Sequence, residues 1–189
     1  MRRARAAVEI GDVLELDTRP SDRGKSRAEC IVGAALESQA GWHILFVHAD
    51  ADGDDARARA ERVAPAIERL REQLATSHAC VAVVPIQMTD AWLLADFAVF
   101  QRVLGTTLDS SALGVPTRGQ AIERLADPKQ TLTDAWRVVH EHPRRAYRLT
   151  SIYQPIGEQV RLDELRKLSG YLAFESELEQ ALRTLAYLR

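Results

Sequence analysis

Four aspartates follow closely on a hydrophobic segment of the chain. The stretch HILFVHADADGDD, residues 43–55, contains Asp50, Asp52, Asp54 and Asp55. Carboxylates this close repel one another, so water, a helix N-terminus or a metal ion must compensate their charge. Oxygen ligands at D-x-D spacing suit a hard divalent cation. We therefore expect Asp50, Asp52 and Asp54 to bind a divalent metal ion.

Helix capping is the alternative explanation for these acidic residues. Asp54 and Asp55 stand where the next predicted helix begins, so one of them can cap it. The others would favour its positive end, each by roughly 0.3 to 1 kcal/mol. Capping accounts poorly for Asp50, because a carboxylate at the end of a buried strand is costly unless it is paired.

Two other carboxylate chemistries fit part of the pattern. An EF-hand calcium loop would use Asp50, Asp52, Asp54 and Glu61, but it needs glycine where Asp55 stands. The segment before it is also strand-like rather than helical. A phosphatase of the haloacid dehalogenase type has an apolar strand followed by D-x-D-G, with Asp50 as nucleophile and Asp52 as general acid. No second acidic pair follows a later strand, so this alternative stays open but is less favoured.

The elements around the aspartates predict a parallel sheet. Strands are expected at 8–16, in WHILFV and in ACVAVVPI. Helices are expected after Ser26, with Glu29 completing a capping box, and over 55–75 with an apolar face of Val63, Ile67, Leu70 and Leu74. Alternating strands and helices favour an α/β fold, and the chain after residue 88 reads as helical. We predict an α/β core over residues 1–96 and a helical C-terminal extension over 97–189.

Composition sets broad limits on function. The 189-residue chain carries a net charge of -2, which does not by itself indicate a nucleic-acid binder. Cys30 and Cys80 lack the spacing of a metal site. The sequence has no signal-peptide pattern and no run of about 20 apolar residues, so we expect a cytoplasmic protein with no membrane span.

Three motifs together resemble a known family. VVPIQMTDAWLLAD (83–96) and DPKQTL (127–132) follow the D-x-D strand, and a C-terminal pattern begins at YQPIGEQ. With the D-x-D pair, these segments resemble TOPRIM-like bacterial proteins of uncharacterised function, related to OLD-type nucleases. The resemblance covers roughly residues 12–185.

The resemblance implies catalytic roles for Asp50, Asp52, Asp90 and Lys129. Asp90 would share the metal ion with the D-x-D pair, and Lys129 would neutralise developing phosphate charge. Packing in the core is expected for Trp92, Leu93 and Leu94, and a cap or buried hydrogen bond for Asp96.

The function implied by the resemblance is a nuclease acting on DNA, with Mg²⁺ (or Mn²⁺) as its cofactor. It would be a subunit of an anti-phage defence complex with an ABC-type or AAA ATPase. TOPRIM proteins also begin with a strand carrying a glutamate, as in V-E-G-x-T-E. Glu9 and Glu15 lack the glycine turn of that motif. The alternative is therefore a degenerate, non-catalytic subunit that scaffolds or regulates the ATPase.

Overall fold

A computed structural model describes residues 23–140 and 149–188 of the chain. The strand predicted at 8–16, with Glu9 and Glu15, lies outside these residues. The chain divides into two compact units. Of the described residues, the first unit contains 23–49, 56–83 and 174–188, and the second contains 50–55, 84–140 and 149–173.

The first unit contains a small parallel sheet. Strand β1 (Ile44–His48) pairs with strand β2 (Ala79–Val83), with Ile44 opposite Ala79 and His48 opposite Val83. Its helical segments are α1 (Arg27–Glu37), a 3₁₀ turn (Gln39–Gly41), α2 (Asp55–Ala58), a π-helical turn (Arg59–Val63) and α3 (Ala64–Gln73). The mixed α/β class with parallel pairing is confirmed. A TOPRIM-like core stays a prediction.

Helix α1 begins where its sequence predicts. The Ser26 hydroxyl accepts a hydrogen bond from the Glu29 N–H, and the Glu29 carboxylate accepts one from the Ser26 N–H at 2.7 Å. This capping box satisfies backbone donors that the first turn leaves unpaired. The hydrogen bond from the Ser26 N–H lowers the pKa of Glu29 below its ordinary value. Inside the helix, Val32 and Ala35 pack with Leu70 of α3 in the core of this unit.

The helix predicted over 55–75 is interrupted by a π-turn. Pro65 has no N–H and so cannot bond to the carbonyl four residues earlier. Just before it, the Ala64 N–H reaches back five residues to the Arg59 carbonyl. Of the predicted face, Val63, Ile67 and Leu70 are buried. Leu74, the residue after α3, is partly buried and packs against the same core.

The C-terminal helix α10 (Ser169–Thr184) supplies a side chain to strand β2. The Glu177 carboxylate accepts a hydrogen bond from the Ala82 N–H at 3.0 Å and also pairs with Arg59. The Val83 carbonyl points toward β1 and accepts the Ala49 N–H. Neighbouring residues of a strand direct their backbone groups to opposite sides, so the Ala82 N–H points away from β1. Glu177 thus satisfies a backbone donor on the outer edge of the sheet.

The second unit is helical in its described part. Its elements are α4 (Asp90–Leu93), α5 (Phe97–Leu104), α6 (Gly119–Glu123), α7 (Pro128–Val139), a 3₁₀ turn (Leu149–Ile152), α8 (Tyr153–Gln159), α9 (Leu162–Leu165) and the first residues of α10. Buried Phe100, Leu132 and Ile156 lie in its interior. No described helix is both long and apolar enough to cross a membrane.

Asp96 divides the apolar segment 91–105 into two helices. Its side chain accepts the Val99 N–H at 3.3 Å as the N-cap of α5, and it also accepts from Arg161 Nε at 2.8 Å. Only 1% of Asp96 is exposed. Burial is the largest influence and raises its pKa, but the hydrogen bonds from Arg161 and Val99 together outweigh it, so the pKa lies below its ordinary value. The predicted cap and buried hydrogen bonds are both confirmed.

We expect Asp96→Asn to lower the free energy of unfolding by about 2 kcal/mol at neutral pH. The reason is that a charge-assisted hydrogen bond contributes roughly 1.5 to 3 kcal/mol, while Asn still caps the helix. Because the folded-state pKa of Asp96 is lowered, its contribution is complete above its ordinary pKa and is lost as pH falls through the folded-state value. Urea unfolding of both proteins from neutral to acidic pH measures this.

Asp134→Asn is the matched control for that measurement. Asp134 pairs with Arg137 on the surface, where both side chains are more than half exposed. Such pairs contribute about 0 to 1 kcal/mol. An Asp96→Asn difference that stays constant down to the acid limit would contradict the assignment.

Gly119 marks a close approach of two backbone segments in the second unit. A Cβ placed on Gly119 would lie 2.2 Å from the carbonyl oxygen of Lys167. Backbone cannot rotate aside as a side chain can, so any larger residue must displace the chain. Gly157, in the middle of α8, has open space around the corresponding position.

Gly119→Ala should destabilise the protein by about 1 to 3 kcal/mol, through overpacking against Lys167. Gly157→Ala should instead stabilise it by roughly 0.5 to 1 kcal/mol, because alanine is the better helix former. Thermal unfolding of the two variants beside the parent separates the effects. The close approach is refuted if the two substitutions shift the melting temperature in the same direction.

Candidate functional site

The acidic segment after β1 is a tight turn. The Asp54 N–H donates to the Ala51 carbonyl at 3.0 Å, closing a four-residue turn. Both central residues have positive φ, 53° at Asp52 and 89° at Gly53. Two successive positive φ angles are typical of a type I′ turn, which favours Asp-Gly or Asn-Gly. The local sequence therefore accounts for the backbone path of this segment.

The turn is hydrogen-bonded to the segment that follows β2. The Ala51 N–H donates to the Pro85 carbonyl at 3.2 Å, and the Gly53 N–H donates to the Ile86 carbonyl at 2.8 Å. The Asp52 N–H donates to the Gln87 carbonyl at 3.2 Å. These hydrogen bonds fix the backbone positions from which the aspartate side chains extend.

The three predicted metal ligands differ in burial. Asp50 is half-buried, and its Oδ1 accepts a hydrogen bond from the Thr89 N–H at 3.3 Å. Asp52 and Asp54 are exposed. Thr89 directly precedes Asp90 in the chain. This hydrogen bond therefore brings the Asp50 carboxylate to the residue next to Asp90.

Asp90 is the first residue of α4 and is also half-buried. The Tyr153 hydroxyl donates to Asp90 Oδ1 at 2.6 Å. Burial, followed by this hydrogen bond to Asp90, raises the pKa of Tyr153 to about 12. The phenol therefore keeps its proton at neutral pH and acts as a donor. Tyr153 is the first residue of the family-like pattern YQPIGEQ, but no spacing in the sequence indicates its contact with Asp90, 63 residues away.

Lys129 lies in the first turn of α7 and is exposed. Asp127, two residues earlier, caps this helix by accepting the Gln130 N–H at 2.7 Å. Helix α7 packs against α4, the helix that begins at Asp90. The D-P-K motif thus starts helix α7, which contacts α4, the helix that begins at Asp90.

The rest of the family-like signature packs inside the second unit. Leu94 is fully buried, whereas Trp92 and Leu93 are partly buried. The Trp92 ring meets that of Tyr171 edge to face, with centroids 5.4 Å apart. These contacts agree with the expected packing role of Trp92, Leu93 and Leu94.

The donor set suits Mg²⁺ in chemistry but is sparse in number. Among residues 23–140 and 149–188, no three His, Cys, Asp or Glu side chains are gathered into a group that could hold a metal ion. Mg²⁺ commonly takes one or two carboxylates and completes its shell with waters and substrate phosphates. Asp50 and Asp52 supply two carboxylates in the same short segment, and magnesium binding by them stays a prediction.

The first unit contains a groove of about 450 Å³, formed by residues other than Asp50, Asp52, Asp90 and Lys129. Its walls come from the π-helical turn, α3, the segment between α3 and β2, β2 itself and the C-terminal helix. They include Arg59, Arg71, His78, Cys80 and Glu177. None of the predicted site residues lines it. Burial raises the pKa of the Cys80 thiol above its ordinary value.

Comparison with protein-family models, curated proteins and solved structures gives no match to this chain. The TOPRIM-like resemblance therefore rests on the quoted motifs alone.

We expect Asp52→Asn to leave the stability of the protein within about 0.5 kcal/mol, because asparagine tolerates positive φ as well as aspartate does. Asp52→Val should cost about 1 to 2 kcal/mol, since a β-branched side chain is strained in the left-handed region. Chemical unfolding in EDTA measures both. Equal stability of the two variants would contradict the turn conformation.

Proposed function

We propose that this chain is a divalent-metal-dependent phosphodiesterase subunit acting on DNA. One observation carries the proposal. The turn bearing Asp50 and Asp52 is hydrogen-bonded to the segment after β2, and the Asp50 carboxylate accepts from the N–H of the residue before Asp90. Parallel strands direct their carboxyl ends to one edge, where sites of α/β proteins are usually found.

The chemistry of the residues supports this choice. Asp50 and Asp52 supply hard oxygen ligands from a backbone that is already ordered, so binding costs little reorganisation. A bound divalent ion would supply Lewis acidity for attack of water on a phosphodiester. Lys129, on a helix packed against α4, is proposed to bind the negatively charged substrate backbone.

The partner is proposed on the resemblance alone. An ABC-type or AAA ATPase would gate the subunit in a defence complex, in which nucleotide chemistry resides on the partner. The described residues contain no glycine-rich phosphate loop. This agrees with a partner, rather than this chain, binding the nucleotide.

A non-catalytic scaffold is the second candidate, and two observations favour it. A type I′ turn explains the residue types at 52 and 53 without a metal ion. One oxygen of Asp90 already accepts a hydrogen bond from Tyr153. In that case the acidic turn would dock onto a basic surface of the ATPase.

Asp50→Asn with Asp52→Asn should abolish Mn²⁺ uptake and cleavage of plasmid DNA in Mg²⁺ or Mn²⁺. Asparagine keeps the positive φ at 52 and can still accept the Thr89 N–H at 50, so the charge is removed while the turn is kept. Isothermal calorimetry measures the uptake, and gel electrophoresis of supercoiled plasmid measures the cleavage.

Glu68→Gln with Glu72→Gln is the matched control, because it removes two exposed charges from α3. This control should bind and cleave like the parent. Equal cleavage by the parent and the Asp50/Asp52 variant would end the nuclease proposal at this site. Metal uptake without cleavage would favour the scaffold, and phosphate release from a small phosphoester would favour the phosphatase.

A further inference from the structure

The Glu177 carboxylate in the first unit is held by two donors from different elements. Its Oε2 accepts the Ala82 N–H at 3.0 Å, and its Oε1 accepts from the Arg59 guanidinium. Ala82 lies in β2, Arg59 begins the π-helical turn and Glu177 lies in α10. Guanidinium and backbone N–H groups are the donors with which proteins bind carboxylates. These two donors therefore form a carboxylate receptor that the chain occupies with its own side chain.

This contact is open to exchange with solvent. The side chain of Arg59 is 36% exposed and that of Glu177 is 34% exposed, so water reaches both partners. Ion pairs at such exposure contribute little, because water and salt screen the charges and the ordering of two long side chains costs entropy. Rotation of the Glu177 side chain into water would make the Arg59 guanidinium and the Ala82 N–H available to another carboxylate.

The receptor opens onto the groove of about 450 Å³ in the first unit, because Arg59, Ala82 and Glu177 all line it. This volume lies in the range of about 300 to 1,000 Å³ that is typical of sites for small molecules. The groove also has apolar side chains in its walls, among them Val63, Ile67, Leu74 and Ala181. The lining groups together suit a small ligand with an apolar body and one carboxylate.

Charge in the groove favours an anion over a cation once Glu177 has moved. Arg59 and Arg71 then outnumber the remaining carboxylate on the walls, that of Glu68. With His78 neutral, one bound carboxylate would balance these charges, whereas a bound cation would add to the excess. The ligand class that fits is therefore a monocarboxylate.

We propose that this groove is a binding site for a small amphipathic monocarboxylate and that Glu177 competes with this ligand for the receptor. The ligand carboxylate takes the place of Glu177 on the Arg59 guanidinium and the Ala82 N–H, and the apolar body packs in the groove. The inference uses residues of the first unit alone, so it does not rest on the proposed nuclease function.

Nuclear magnetic resonance of ¹⁵N-labelled protein tests this inference, with phenylbutyrate as the ligand and phenylbutyramide as its uncharged match. The shift of the Ala82 amide resonance during titration reports the dissociation constant at the receptor itself. We expect phenylbutyrate to move this resonance. The amide should bind about tenfold or more weakly, because it lacks the charge that strengthens the hydrogen bonds to Arg59 and Ala82.

Substitutions of the competitor and of the receptor should act in opposite directions. Glu177→Ala should tighten phenylbutyrate binding about three- to tenfold, since the receptor is then always open. Glu177→Gln keeps the size of the side chain but not its charge, so it should tighten binding by less. Arg59→Gln should weaken binding about tenfold or more through loss of the charged donor. Glu72→Gln and Arg69→Gln are the matched controls, because both residues are exposed on α3 outside the groove walls.

The control variants should bind phenylbutyrate like the parent. Equal affinity for phenylbutyrate and phenylbutyramide overturns the inference, because binding then does not use the carboxylate. Parent-like or weaker binding in both Glu177 variants also overturns it and leaves Glu177 as a cap on the sheet edge alone. An Ala82 resonance that stays unmoved in the parent and in Glu177→Ala has the same consequence. None of these results changes the outcome of the metal and DNA experiments.

Discussion

Parallel pairing of β1 with β2 is the constraint on which the candidate site depends. Paired residues of the two strands, such as Ile44 and Ala79, are 35 positions apart in the chain. Because parallel strands end at the same edge, the residues that follow the two strands are brought together. The Ala51 and Gly53 N–H groups then bond to carbonyls of residues 85 and 86. A one-residue slip in register would turn every side chain to the opposite face and separate Asp50 from the Thr89 N–H.

Backbone requirements and side-chain chemistry are separable in the acidic turn. The positive φ angles at Asp52 and Gly53 restrict which residues fit, and the hydrogen bonds of the turn involve backbone atoms. Asp50 alone uses a side-chain oxygen in a bond to neighbouring backbone among the contacts described above. The backbone path of the turn therefore rests on these φ angles and on these backbone hydrogen bonds.

Local signals in the sequence predict much of this structure, whereas contacts between distant residues escape it. The capping box of Ser26 with Glu29 and the buried face of Val63, Ile67 and Leu70 follow from spacing alone. A cap or a buried hydrogen bond is predicted at Asp96, but the break into two helices is not, and no spacing indicates its partner Arg161, 65 residues away. Tyr153 beside Asp90 and Lys167 beside Gly119 depend equally on tertiary packing, which no short motif encodes.

The backbone geometry of the acidic turn does not explain why its side chains are carboxylates rather than amides. Type I′ geometry accepts Asn-Gly as well as Asp-Gly, and an asparagine oxygen could accept the Thr89 N–H as the Asp50 carboxylate does. Neutral residues would satisfy both requirements without mutual repulsion among residues 50–55. The positive φ angles and the Thr89 N–H thus account for the positions of these residues but not for the choice of aspartate over asparagine. The proposed enzyme and the proposed scaffold would both assign that choice to a positive charge, carried by a metal ion in the first and by a basic side chain of a partner in the second.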